Sequence, residues 1–181
     1  MRKVSTLSRY SPLQITLHWL MAIAMIVAFI IGEQIEDAPR GAERALVQGW
    51  HIAFGLTVAI LLLLRLIALR QGRPALPATM SRLERGLATL SHVALYGTML
   101  LLPVLGVASL LTGRRPTPVL GLFEIPAPWP DSAIHRATEN AHGVVAKVFL
   151  FLVIAHVLAT LWHAVVKRDG VAGRMLPFLS R

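Results

Sequence analysis

Cysteine is absent from the 181 residues. Its absence excludes disulfides, cysteine-held iron–sulfur clusters and the C-x-x-C-H attachment of covalently linked haem. Charge is also scarce: charged residues make up 15% of the chain, against about 25% in a typical soluble domain. Acids are fewer still, nine against eighteen Lys and Arg. Too few polar side chains remain to coat a water-facing surface, and 55% of the residues are hydrophobic. The mean hydropathy is +0.64. Lipid is the solvent that suits such a chain. No internal repeat or low-complexity tract is present.

A net charge of +9 would suggest a nucleic-acid partner for a soluble protein. Here the basic residues gather at the ends of apolar runs rather than in a stripe or tail. Membrane topology accounts for that pattern, so the bilayer is the expected partner and nucleic acid is not.

Four apolar runs are long enough to span a bilayer, which takes about 20 helical residues. They cover 13–31, 49–69, 87–111 and 137–166. The predicted fold is all-α, an integral membrane four-helix bundle forming one transmembrane domain over residues 1–181. The first run follows Arg2, Lys3 and Arg9 and so resembles a signal peptide. Its apolar stretch exceeds the roughly 7–15 residues of such signals, and Gly32-Glu33-Gln34 offers no small-x-small cleavage site, so a retained helix is expected. Turn chemistry separates the runs at Ala38-Pro39-Arg40-Gly41, at Gln71-Gly72-Arg73-Pro74 with Pro77, and across 113–131. The last stretch holds Pro116, Pro118, Pro126, Pro128 and Pro130 and cannot continue a helix. With Leu120, Leu122, Phe123 and Trp129 it is expected to lie as a loop on the bilayer surface. Trp19, Trp50, Trp129 and Trp162 all fall near the predicted interfaces, as an aromatic belt would. The two ends and the second connection hold twelve Lys and Arg, the opposite side six. The positive-inside rule then places both termini in the cytoplasm.

Seven histidines stand out, and all but His135 fall in or beside a predicted span. Ionisable side chains inside a bilayer are costly, usually face the bundle interior and mark function. On the fourth run, His142 and His156 are 14 residues apart. That is nearly four whole helical turns, so both share a face at levels about 21 Å apart. Two flat cofactors could stack at that spacing, one toward each membrane surface. A haem iron with two axial ligands needs a histidine from each side, at matched depth. His51 starts the second run at the depth of His142; His18, about six residues into the first, matches His156 more loosely. Gly55, Gly97, Gly106 and Gly143 would give a flat ligand room, or would simply pack helices. Arg65, 14 residues beyond His51, sits where it could meet haem propionates or snorkel to the surface. Lys147 is read as snorkelling outward. His92 and His163, near the inner ends of the third and fourth runs, could bind a quinone headgroup or a propionate, or hydrogen-bond at the interface. His135 is read as a loop residue.

These residues carry a resemblance. Tyr10-Ser-Pro-Leu-Gln-Ile-Thr-Leu-His18-Trp19, Trp50-His51 with Gly55, Ser91-His92, Pro103-Val-Leu-Gly106, and His142 with His156 resemble the bacterial cytochrome b561 family. That family is itself related to the cytochrome b subunits of nickel-iron hydrogenases. The resemblance covers nearly the whole chain. It implies two haem b groups, one held by His18 and His156 and the other by His51 and His142, with Gly55 and Gly106 among the matching residues. It also implies a multi-pass protein of the bacterial inner membrane and respiratory chain. Electrons would pass between a donor at the outer face and the quinone pool. Superoxide:quinone oxidoreductase activity is one form this takes in the family. The outer face holds six basic against seven acidic residues, so overall charge does not steer an anion there, although Arg114, Arg115 and Arg136 could do so locally. A homo-oligomer is left open.

Three other readings compete. An electron-transfer or anchor subunit of a dehydrogenase or hydrogenase would carry the same haems, although the short loops offer little docking surface. A histidine-lined metal transporter would need its histidines on one path, and the two levels are too far apart for a single site. Glu139-x-x-His142 looks like half of a di-iron site, but no second such unit occurs.

Overall fold

The structure is a computed structural model that describes residues 9–75, 77 and 79–176. Arg2, Lys3 and Arg181, counted above for topology, lie outside the described residues. Four long helices dominate: α1 (Pro12–Gln34), α2 (Ala42–Ala68), α3 (Arg82–Leu111) and α4 (Ser132–Trp162). Each is long and apolar enough to cross a membrane. Large apolar side chains cover the outside; Leu90 and Phe151 are 64% and 70% exposed. Only lipid suits such a surface.

Helices α2, α3 and α4 begin five to seven residues before their apolar runs. For α3 and α4 the reason is local: once a turn clears the bilayer, polar residues can cap it. Ser81 and Glu84 form a capping box at the start of α3, as Ser11 and Gln14 do for α1. Asp131 caps α4, one carboxylate oxygen accepting from the amides of Ala133 (2.8 Å) and Ile134 (3.0 Å). Those amides, Ile134 first, hold the Asp131 carboxyl below the ordinary aspartate range. His135 therefore belongs to the first turns of α4 rather than to a loop, a correction that follows from the Asp131 cap. Its Nδ1 donates to the Ser109 carbonyl at 2.9 Å, tying α4 to the end of α3.

The proline-rich connection holds more structure than a surface loop. β1 (Thr117–Val119) and β2 (Phe123–Ile125) form an antiparallel hairpin, Val119 facing Phe123. Leu120 and Gly121 turn it with φ of 53° and 72°. Val119 is 2% exposed, and Leu120 seats against Gly49 of α2, where a Cβ would meet its backbone nitrogen at 3.1 Å. The hairpin thus caps the end of α2 away from the termini. Leu122, Phe123 and Trp129 stay exposed at the lipid boundary, as expected.

The bundle consists of two helical hairpins, α1 with α2 and α3 with α4, whose backbones pack more closely within each pair than between pairs. Met21, Ala24, Val58, Leu62, Met99 and Phe149 form the core that joins them. At the end that holds the termini, Gln14 is 2% exposed. Its Nε2 donates to the carbonyls of Ala68 (2.9 Å) and Gly72 (3.0 Å), and its Oε1 accepts from the Ser11 amide. Lys167 pairs with Glu84 at 2.6 Å and joins α4 to α3. The Trp19 indole donates to the Met175 carbonyl at 3.0 Å.

Candidate functional site

The histidines predicted from depth meet across the seam between the two hairpins. His51 of α2 faces His142 of α4 with ring centroids 6.0 Å apart. His18 of α1 faces His156 of α4 at 6.5 Å. Metal–imidazole bonds run about 2.0 Å. Two such bonds end to end, with about 1.1 Å from each ring centre to its nitrogen, span about 6.2 Å. Both pairs therefore stand at the separation at which two imidazoles hold one metal ion between them. The levels are separated by the apolar core. Phe149 lies seven residues from each α4 histidine, two turns each way on their shared face.

Second partners orient the His51–His142 pair. His51 Nδ1 donates to the Ala28 carbonyl of α1 at 2.8 Å, and His142 Nδ1 donates to the Leu102 carbonyl of α3 at 2.9 Å. A carbonyl only accepts, so each Nδ1 carries its proton, and Nε2 is the nitrogen left for a metal.

Glycine makes the fit possible at this level. A Cβ on Gly32 of α1 would lie 2.8 Å from His51 Cε1 and 2.9 Å from Nδ1, closer than side chains pack. Gly106 lies against His142, where a Cβ would stand 3.5 Å from Cε1. The expected role of Gly106 near the cofactor thus becomes contact with a candidate ligand. A Cβ on Gly55, Gly97 or Gly143 would meet nothing within 4 Å. Gly32 and Gln14 are the residues that sequence reasoning missed. Gly32 ends an apolar run and reads as a helix stop, and only the packing of α1 on α2 brings it to His51.

The His18–His156 level is more crowded. His92 of α3 brings its ring within 5.6 Å of His156, so three imidazoles gather there rather than two. His92 Nδ1 is bound within its own helix, to the Ala88 carbonyl at 2.6 Å. Arg65 is near His18 and His156. Its Nε donates to the Tyr96 hydroxyl at 2.9 Å and its Nη1 to the Gln14 carbonyl at 3.3 Å. It is thereby held in the bundle instead of snorkelling. His163 stands apart from the cluster. It opens a π-turn, His163–Lys167, and its Nδ1 donates to Asp169 at 2.6 Å. Lys147 is exposed, as expected of a snorkelling side chain.

Comparison with known proteins identifies the family. The prokaryotic cytochrome b561 family matches residues 9–178. "Cytochrome b561 homolog 1" of Escherichia coli K12 is 30% identical over 94% of this chain and 98% of its own length. "Probable superoxide oxidase CybB" of Yersinia pestis is 30% identical over 93% and 96%. "Cytochrome b562" of Cereibacter sphaeroides is 30% identical over 92% and 94%. With four membrane-crossing helices and His18, His51, His142 and His156 facing one another inside the bundle, the chain belongs to the prokaryotic cytochrome b561 family of b-haem electron-transfer proteins, multi-pass in the bacterial membrane.

Proposed function

We propose that the protein binds two haem b groups and carries electrons between a donor at the outer face and the quinone pool of the inner membrane. The observation that carries the proposal is the pair of histidine couples at 6.0 Å and 6.5 Å, one on each level of the bundle. His51 and His142 would hold one haem, His18 and His156 the other. The donor set suits this group: His51 and His142 have Nδ1 tied to carbonyls, which leaves Nε2 as the iron ligand, and cysteine is absent. Haem b, when bound, supplies a reversible one-electron carrier at each level.

The protein's own residues fix the ligands and the surroundings. Ala28 and Leu102 orient the outer imidazoles, and Gly32 and Gly106 let them seat. The core around Phe149 and Leu62 keeps water out between the levels. Arg65, braced by Tyr96, offers a cation for propionates at the inner level. Gly55 gives a flat ligand close access to α2. His92 and His163 stand near the inner surface, where a quinone headgroup would bind, and Asp169 supports His163. The counts of Lys and Arg support an orientation with both termini in the cytoplasm.

Superoxide is the first donor to test, because the Yersinia relative carries that name. Two superoxide ions would give up one electron each and leave as dioxygen, while quinone takes two electrons and two protons to become quinol. The test is a pyridine haemochrome count with a reduced-minus-oxidised spectrum, followed by quinone reduction in proteoliposomes. Two haems per chain are expected, falling to about one in His142→Ala and in His156→Ala. A colourless protein from haem-replete cells, or a single haem unaffected by one of these changes, would overturn the two-haem reading. Intact haems with no quinone reduction from any outer donor would overturn the direction of transfer.

A further inference from the structure

A cleft of about 350 Å³ opens between the end of α3 and the start of α4, lined by Thr112, Arg114, Ser132, His135 and Arg136. We propose that it binds the phosphate group of an anionic phospholipid headgroup. Both full charges in its lining are positive, on a face whose overall count favours acids. Among the described residues, neither Arg114 nor Arg136 forms a salt bridge. Guanidinium forks match phosphate oxygens two at a time and give strong, directional hydrogen bonds.

The remaining groups define which donors are available. The Thr112 hydroxyl donates to the Ala108 carbonyl at 2.8 Å, so it lines the cleft as an acceptor. The Ala133 and Ile134 amides at the start of α4 are taken by Asp131, so they are not offered to an anion. Two acids lie beside the cleft, Asp131 near Arg136 and Glu139 with Oε2 3.9 Å from His135 Nε2. Both are solvent-exposed, so water weakens their pull on the arginines. The arginines and the Ser132 hydroxyl carry the recognition.

Size and depth choose the ligand. A water molecule occupies about 30 Å³ in the liquid, so the cleft is far larger than a diatomic anion needs and admits a headgroup phosphate. Trp129 and Ile134 flank it, 66% and 51% exposed. Exposed tryptophan marks the headgroup level of a bilayer. At that depth the phosphate within reach belongs to lipid.

The test uses the full-length haem-loaded protein in neutral detergent, titrated with short-chain phosphatidylglycerol, phosphatidylcholine and inorganic phosphate. One phosphatidylglycerol per chain is expected, about tenfold or more tighter than phosphatidylcholine, with each arginine worth about tenfold. Arg114→Gln with Arg136→Gln should remove that preference while haem content and spectrum stay unchanged; Arg40→Gln, an exposed arginine on another connection, should leave it intact. Equal binding of the two lipids, or unchanged binding in the double variant, would overturn the proposal. Inorganic phosphate binding as tightly as phosphatidylglycerol would overturn the lipid assignment, and failure to displace the lipid at millimolar concentration would support it.

Discussion

Substituting Gly32→Ala tests the outer level most sharply, because the added atom is small and its collision is specific. The new methyl would stand 2.8 Å from His51 Cε1, whereas carbon atoms settle at about 3.5–4.0 Å. The ring must therefore retreat by about 0.7 Å or more, beyond the roughly 0.5 Å within which a ligand geometry works. Ala28, whose carbonyl holds Nδ1 at 2.8 Å, sits one turn before Gly32 on the same face of α1. A ring pushed off α1 stretches that bond towards about 3.5 Å, past the range of a good hydrogen bond. Loss of the bond alone costs about 1 kcal/mol. Disturbing the partner that orients a metal-bound histidine lowers metal affinity about 10–100-fold. The assay is haem b per purified chain, read by pyridine haemochrome, with the spectrum resolved into its two components. The count should fall from two towards one, with the His18–His156 component retained. Gly86→Ala, which adds a methyl to open space, is the control and should keep both haems. A Gly32→Ala protein with full haem content and an unshifted spectrum would refute the reasoning.

Other consequences follow from particular contacts. Gln14→Ala strips buried carbonyls at Ala68 and Gly72 of their donor; it should lower apparent stability in detergent by about 1–3 kcal/mol, and an unchanged melting curve would show that water replaces the side chain. His92→Ala should keep both haems while shifting the inner component, since His92 stands 5.6 Å from His156; loss of one haem would make His92, not His18, the partner of His156. The Asp131 carboxyl is held below the ordinary aspartate value of 3.8. Its capping contribution is therefore present above that value and is lost as pH falls through the lower folded value. Protection of the Ala133 and Ile134 amides, relative to the intrinsic exchange rate at each pH, should fall in that acidic window and be low at every pH in Asp131→Ala; flat protection across it would contradict the cap.

Much of this protein was legible in the linear sequence because the bilayer imposes strong one-dimensional rules. Run length gave four spans, since every backbone group in lipid must bond within its own helix. The 14-residue spacing of His142 and His156 gave two levels on one face, because helical rise and turn are fixed. Depth along each span paired the histidines that the fold brings together. Tertiary packing decided the rest. Gly32 meets His51 only because α1 lies against α2, and no spacing within either helix records that distance. The carbonyls of Ala28 and Leu102 acquire a role from the rings aimed at them, and a carbonyl has no sequence signature. The hairpin at Thr117–Ile125 was hidden by prolines that read locally as loop, while its order comes from Val119 and Leu120 seated on α2. His92 reached His156 by the relative rotation of α3 and α4. Spans and levels are properties of one helix in lipid and so can be read along the chain; contacts between helices depend on their mutual rotation and approach, which only the assembled bundle fixes.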